Sequence, residues 1–475
     1  MMNHPNLQRA GTLSALAAAL LLGGCMNFIP KYERPAAPVA TAYAPELMPA
    51  GSASATPAAD IEWQRFFADP RLKRLIELSL QNNRDLRVAI LNIEAARATY
   101  QIRRADELPS VGAGFTANRG AGSNGGLVNT YAVGFQVTGY ELDFFGRVRS
   151  LSQAALSQYL ATEEARKTAQ IALVSGVATS YVSLLADDEL LRVTRDALKT
   201  REDSFRLTRL RFDNGASSEV DLRQAEQLLE TAKVALAQTQ RQKALDENAL
   251  TLLVGQSLPA DLPAPLMLTQ QQGVTDLPAG LPSDLLTRRP DVLAAERQLL
   301  AANANIGAAR AAFFPRISLT ANAGTASTEL SGLFKSGTFA LTGTATLLQP
   351  IFDAGRNQAN LEVAKVNKDI AIAQYEKAIQ TAFREVSDSL AGRATLGEQL
   401  RAQSAVANAA QVSFKLADLR YRNGASSYFD VLDAQRALFS AQQATVQTQA
   451  LQVQNLVTLY KVLGGGWTEP APRTN

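Results

Sequence analysis

A chain that repeats its own sharpest turn has to build itself twice. Arg211-Phe-Asp-Asn-Gly-Ala-Ser-Ser-Glu-Val-Asp221 recurs as Arg420-Tyr-Arg-Asn-Gly-Ala-Ser-Ser-Tyr-Phe-Asp430. The Asn-Gly-Ala-Ser-Ser core is identical, and Gly424 stands 209 positions after Gly215. Long Ala- and Leu-rich helical patterns flank each copy. Asn-Gly tolerates positive φ, and the Ser pair offers an N-cap to the next helix. Each copy therefore reads as the tip of a helical hairpin.

The repetition extends well beyond the tips. Asp85, Arg104 and Pro109 recur 206 positions on as Asp291, Arg310 and Pro315. Gly146-Arg147 recurs as Gly355-Arg356, and Gly255 as Gly464. The unit is helix, β-hairpin, long helix, tip, return helix. A period of this size marks a duplication rather than a short-unit solenoid. The first repeat is placed at residues 61–255, with a hairpin at 110–143, a long helix at 147–213 and a return helix at 219–254. A Pro- and Leu-rich connector follows at 256–282. The second repeat covers 283–464, with a hairpin at 316–348, a long helix at 356–422 and a return helix at 427–463; a tail closes the chain at 465–475. One helix is expected from Arg71 to Ala105. At 1.5 Å per residue the long helices reach roughly 100 Å and the shorter ones about 50 Å, so two short helices end to end match one long one. Leu222, Ala225, Leu229, Ala232 and Leu236, and in the second copy Val431, Ala434, Leu438 and Ala441, follow the 3,4 spacing of a small-residue coiled-coil seam.

The strands carry the strongest physical argument. Val111, Ala113, Phe115 and Ala117 alternate with Gly112, Gly114, Thr116 and Asn118. Tyr131, Val133, Phe135 and Val137 alternate with small or polar residues in the same way, and so do Ile317, Leu319 and Ala321, and Phe339, Leu341, Ala345 and Leu347. Each run has about the length that a tilted strand needs to cross a bilayer, with one apolar and one small or polar face. The chain supplies four such strands. An open sheet edge in lipid leaves backbone groups unpaired at several kcal/mol each. Such a sheet has to be closed by further copies of the chain: two copies give eight strands and three give twelve, and the strands alone do not choose. The other reading is a pair of soluble hairpins packed on a bundle. The helices exceed the ~30 Å hydrocarbon core and carry charges throughout, so they are expected in the aqueous space beside the membrane.

Residues 1–24 have the form of a secretory signal, with Arg9 ahead of an apolar core from Leu13 to Leu22. Leu22-Gly-Gly-Cys25 resembles a bacterial lipobox, which implies cleavage before Cys25 and acylation of that residue. Met26 stands where Asp would signal inner-membrane retention, so the outer membrane is favoured. Residues 25–60, rich in Pro and Ala, read as an extended tether from the lipid anchor. Cys25 is the only cysteine and His4 the only histidine. The processed chain then has no imidazole and no free thiol, which excludes His-based acid/base chemistry, disulfides, Cys/His zinc sites and thiol nucleophiles. No stretch beyond the signal reads as long and apolar enough for a transmembrane helix. A net charge of +3 gives no case for nucleic acid, and no phosphate-binding loop or cofactor motif is present.

Trp63-Gln-Arg-Phe-Phe-Ala-Asp-Pro70, Arg288-Arg-Pro-Asp-Val292, Ala302-Asn-Ala-Asn-Ile-Gly307, Phe314-Pro315, Gly355-Arg356 and Asp430-Val-Leu-Asp-Ala-Gln-Arg436 together resemble the TolC-type outer-membrane factors. The likeness is to the lipoprotein branch serving resistance-nodulation-division efflux pumps, and it covers essentially the whole mature chain. It implies a mainly α fold with a membrane β part: a homotrimer whose twelve-stranded outer-membrane barrel continues into a twelve-helix periplasmic α-barrel. It also implies a passive export duct, not an enzyme. The implied partners are a periplasmic adaptor and an inner-membrane resistance-nodulation-division transporter, with outer-membrane lipid around the barrel.

The same resemblance assigns candidate residues. The tips Asn214, Gly215, Ala216 and Ser217, and Asn423, Gly424, Ala425 and Ser426, are expected to meet the adaptor; the bland reading is a plain turn. Phe429, Asp430, Asp433 and Arg436 are expected to close the periplasmic mouth; the bland reading is solvated charges and one core Phe. Asp221 and Tyr421 match two members of a bracing trio. The third, an Arg, is replaced by Ser426, which leaves Arg420 and Arg422 as substitutes. Two other functions are weighed. One is a lipid-anchored periplasmic coiled-coil scaffold without a pore. The other is an enzyme working through Asp430 and Asp433, which have no cleft around them.

Overall fold

The computed structural model describes residues 26–47, 57–121, 125–271, 277 and 282–467. Cys25 and the signal sequence lie outside them. The principal elements are α1 (Pro70–Asn82), α2 (Arg84–Ala105), β1 (Val111–Ala121), β2 (Leu127–Glu141), α3 (Arg147–Asp213), α4 (Glu219–Val254), α5 (Pro290–Ala311), β3 (Arg316–Ser327), β4 (Phe339–Leu348), α6 (Arg356–Arg422) and α7 (Tyr428–Val462). Two compact units emerge. One takes the N-terminal stretch as far as Ala36, with Asn92–Glu163 and Ala294–Lys377; the other takes the remaining segments.

The first unit holds one antiparallel sheet in the order β1-β2-β3-β4. Phe115 faces Val133, Phe135 faces Ala323, and Ala323 faces Leu341, so the apolar residues of all four strands share one face. That face is bare, with Val111, Phe115, Phe135, Phe339 and Leu341 all exposed. Between Val137 and Tyr140 the β2–β3 register slips by one residue. Gly139, at φ 64°, makes the bulge. Without it Tyr140 would turn to the small-residue face; with it Tyr140 stays opposite Leu319 on the apolar side. At the foot of the sheet, Glu141 binds Arg147 at 2.6 Å and Arg316 at 2.9 Å.

The expected extended tether is docked on the body of the chain over its first described residues. Met26 donates its amide to the Phe144 carbonyl. Asn303 donates to the Pro30 carbonyl and Arg310 to that of Phe28. Phe28 stacks on Phe314, which stacks on Phe145. A Cβ at Gly307 would fall 2.6 Å from Ile29. Arg34 and Tyr32 both bind Glu296. The Ala302–Gly307 motif is thus a dock for this strap, built from an amide donor and an absent side chain. A sequence rich in Pro and Ala gave no sign of these partners, because they lie far along the chain, the Asn303 donor to Pro30 being 273 residues away.

The second unit explains the other motifs. Asp69 is buried and caps α1 by accepting from the Arg71 and Leu72 amides. Its other oxygen accepts from the Tyr181 hydroxyl at 2.8 Å, from Gln271 and from the Leu266 amide. Burial and this bond to Asp69 push the Tyr181 phenol far above its ordinary range. Phe66 stacks on Tyr460 with centroids 3.9 Å apart.

The single helix expected from Arg71 to Ala105 is two helices. They break at Asn83, whose backbone is extended at ψ 131°. Its amide group donates to the Leu253 carbonyl, and its oxygen caps the Leu86 amide. The second repeat does the same with different chemistry. Arg289, 206 residues after Asn83, donates to the Val462 carbonyl, 209 residues after Leu253. Arg289 also pairs with Asp291 at 2.6 Å and Glu385 at 2.8 Å. Each repeat is therefore clasped shut at the end of its own return helix. A second correction concerns α3. It contains one 18-residue window apolar enough by composition to cross a membrane. That window is mostly buried within the chain, and Val174, Val177, Ala178, Tyr181 and Val182 are core residues.

Candidate gate and docking tips

Both hairpin tips are built by the same local rules. At the first, Gly215 is left-handed at φ 71°, its amide bonds the Phe212 carbonyl at 2.9 Å, and the Ala216 amide reaches Arg211 at 2.8 Å. At the second, Gly424 has the same φ, and the bonds run to Tyr421 at 3.0 Å and from Ala425 to Arg420 at 2.8 Å. This double bond satisfies carbonyls that a helix end leaves open, and it needs a residue without Cβ. Asn214 and Asn423 return their side chains to Leu210 and Leu419. Ser218 and Ser427 then open the return helices through capping boxes with Asp221 and Asp430. Asn214, Gly215, Ala216, Asn423, Gly424 and Ala425 are exposed, while Ser217 and Ser426 are half-buried.

Asp221 and Asp430 are thus mates in the duplication, and each has a structural task at a helix start. Asp221 is turned onto Ser217 and Ser218, not onto Tyr421. The Tyr421 hydroxyl takes a short bond from Arg211, whose guanidinium lies 4.8 Å from the Tyr421 ring centre. The expected substitutes serve elsewhere: Arg420 donates to the Ala425 carbonyl, and Arg422 pairs with Asp418 at 2.9 Å. Arg211 was passed over in the sequence, although it is the repeat-mate of Arg420. Phe429 is 53% exposed, and Asp430, Asp433 and Arg436 are exposed beside it on α7. Behind them sits a compact cluster of Ala225, Leu228, Tyr428, Val431 and Leu432, with Phe205, Phe414 and Tyr421 against it. This cluster joins the two return-helix seams.

Arg201 is the second residue that sequence reasoning missed. It is buried, donates to the Leu228 carbonyl at 3.2 Å, and lies over the Phe439 ring. Burial, reinforced by Arg436, pulls its guanidinium below the usual range. Among the described residues no carboxylate pairs with it, and the Leu228 carbonyl and the Phe439 ring are the contacts that hold it.

The sheet with its bare apolar face and the duplicated helical hairpins now stand beside a family match. The model described as outer membrane efflux protein matches residues 75–256 and 281–465. This chain belongs to that family. Among curated relatives, the toluene efflux pump outer membrane protein TtgC of Pseudomonas putida is 48% identical over 98% of this chain and 97% of the relative. The antibiotic efflux pump outer membrane protein ArpC, also of Pseudomonas putida, is equally similar. Among solved structures, a membrane protein from Pseudomonas aeruginosa superposes with TM-score 0.86 at 44% identity, covering 93% of this chain and 98% of that one. The open state of the Neisseria gonorrhoeae MtrE outer membrane channel does so with TM-score 0.85 at 41% identity and the same coverage. The chain is therefore an outer-membrane efflux channel component. It has the fold class expected from its sequence, a membrane β part with a barrel of helices. As an efflux channel protein it spans the outer membrane through its strands, and its helices lie in the periplasm.

Proposed function

We propose that this chain is the passive outer-membrane duct of a tripartite pump. It works as a lipid-anchored homotrimer that an adaptor and a proton-driven inner-membrane transporter engage from the periplasm. The observation that carries the proposal is a four-stranded sheet with an exposed apolar face and both edges unpaired among the described residues. Lipid covers the face, and only further copies can cover the edges. The duct runs no chemistry of its own, so it is not an enzyme, and it needs no cofactor. The relatives named for toluene and for antibiotics are equally similar to it, which supports a broad cargo of small organic molecules selected upstream of the duct.

In this reading Asn214 to Ser217 and Asn423 to Ser426 are the adaptor contacts, because Gly and Ala there leave the backbone open to a partner hairpin. Phe429, Asp433 and Arg436 are the mouth, one ring of each per trimer. Asp430 contributes its charge to the mouth while capping α7. Arg211 braces Tyr421, and with it the cluster that positions the mouth. Three carboxylates on a symmetry axis favour cations, and three Phe side chains narrow the passage and expel water. Phe429→Ala with Asp433→Ala should raise the single-channel conductance of the purified trimer in planar bilayers several-fold. Unchanged conductance would reject the gate, and a protein that never forms a detergent-stable trimer would favour the poreless scaffold.

A further inference from the structure

The foot of the sheet holds a cavity that passive conduction does not require. Its volume is about 290 Å³, near the lower edge of the range for small-molecule sites. It lies between the ends of β2, β3 and β4 and the starts of α3 and α6, all within one compact unit. Leu142, Phe145, Phe314 and Leu348 form apolar walls, and Arg147, Arg316 and Arg356 line the same space. The strand register assigns it to one side of the sheet. Arg316 lies opposite Leu348, and Glu141 opposite Ser318. These residues have the parity of Asn322 and Thr342, on the small and polar face. In a closed barrel that face lines the bore, because lipid takes the apolar one.

The three guanidinium groups meet too few acceptors here. Glu141 Oε1 accepts from Arg147 Nε at 2.8 Å, and Glu141 Oε2 accepts from Arg147 Nη2 at 2.6 Å and from Arg316 Nε at 2.9 Å. Both oxygens of that carboxylate are therefore in use. Asp143, which also borders the cavity, is engaged by the amide and the guanidinium of Arg149. Arg356 is exposed, and among the described residues its guanidinium has no acceptor. The duplication shows what it lacks. Arg356 is the mate of Arg147, but Pro350 stands 209 residues after Glu141. Arg316 has Ser110 as its mate, 206 residues earlier, so the cluster occurs once per chain. A guanidinium carries more N–H donors than these bonds use, in a fork that fits a carboxylate. Apolar walls and unfilled cationic donors thus share one space, which suits a molecule with an apolar body and an anionic group.

We propose that this cavity is a binding site for organic anions with an apolar body, aromatic carboxylates above all, set in the wall of the bore. Arg356 and the unused donors of Arg316 hold the carboxylate. Leu142, Phe145 and Phe314 take the ring, and Glu141 keeps Arg147 and Arg316 in position. A neutral aromatic molecule meets only the walls and is held less tightly. The inference rests on the duct reading and adds to it a class of cargo, with a resting place where the helices hand over to the strands.

The test is equilibrium dialysis of 2-naphthoate against the full-length trimer in lipid nanodiscs, with 2-naphthalenemethanol as the neutral molecule of like shape. The parent should bind the carboxylate about ten-fold more tightly than the alcohol. Added potassium chloride should weaken the carboxylate alone. These two measurements use the parent and depend on no variant. Arg356→Gln removes a side chain without a described partner, so the trimer should keep its heat resistance. It should weaken the carboxylate by about ten-fold and leave the alcohol unchanged, and Arg356→Lys should recover part of the loss. Equal binding of the two probes overturns the site, and so does an Arg356→Gln trimer that binds the carboxylate like the parent. A phospholipid that native mass spectrometry finds on the parent and not on Arg356→Gln also overturns it, because the occupant is then a membrane headgroup. Single-channel recording separates the site from the duct. A trimer that conducts in planar bilayers but does not favour naphthoate loses the site and keeps the duct. One that never conducts loses the duct, and with it the cargo role, whatever it binds.

Discussion

The two repeats share a plan and differ in chemistry, most clearly at the clasps and at the tips. An asparagine closes the first repeat by bonding a helix-end carbonyl and capping α2. An arginine closes the second by reaching the equivalent carbonyl and two carboxylates. The tips keep identical turns and capping boxes. Around them, however, Arg211 reaches across to Tyr421, whereas its mate Arg420 folds back on its own tip. Duplication therefore preserved the bonds that shape the backbone and released those that join one hairpin to the other. A moving part at the mouth is to be sought among the second kind.

Five substitutions break or sharpen this contrast. The largest effect is expected at the charged clasp. Arg289→Ala leaves Asp291, Glu385 and a helix-end carbonyl without their donor, at about 2–3 kcal/mol. It should lower the dissociation temperature of the detergent-solubilised trimer more than any other single change here. Asn83→Ala removes one bond and one cap, about 1–2 kcal/mol by the same reasoning, and should lower that temperature by less. If Asn83→Ala proved the worse, the clasps would not be equivalent. At the tips, Arg211→Gln should increase the fraction of time the bilayer-inserted channel is open, by about two- to five-fold for a loss of roughly 0.5–1 kcal/mol of closed-state bracing. The mate Arg420→Gln should leave gating unchanged. Equal effects would mean that the cross-hairpin bond has no part in closure.

The smallest effect depends on pH. Asp187 is buried and its carboxyl is pushed up to about 7, first by burial and then by hydrogen bonding to the Asp246 carboxyl. The mates of these two residues are Leu396 and Asn455, so the second repeat has no such pair. A carboxyl that holds its proton more tightly when folded costs stability as pH rises from its ordinary value of about 4 to its raised one, and no further above that. Asp187→Asn should therefore raise the dissociation temperature by a few degrees at pH 8, by clearly less at pH 5, and hardly at all below pH 4. A pH-independent shift would show that the pair does not share a proton.

The helices and strand faces were legible because local chemistry determines them. Gly215 and Gly424 take φ values that other residues resist, Ser218 and Ser427 cap, and the strands alternate with period two. The register slip at Gly139 left a trace too: the repeat offset between β2 and β4 changes by one residue across it. What escaped the sequence was set by contacts distant along the chain. Nothing between Gln81 and Asp85 breaks a helix by propensity; the break is stabilised by a carbonyl 170 positions away. The docked strap and the Arg211–Tyr421 bond escaped for the same reason. The mouth residues were reached through the family resemblance, since Phe429, Asp433 and Arg436 alone look like any solvated helix face.

The strap sets a limit on whatever the N-terminus carries. With Met26 bonded beside the start of α3 and Arg34 locked to α5, an acylated Cys25 would be left a leash one residue long. Such an anchor would work as a depth gauge, fixing the height at which the sheet meets the inner leaflet instead of merely keeping the protein from drifting off.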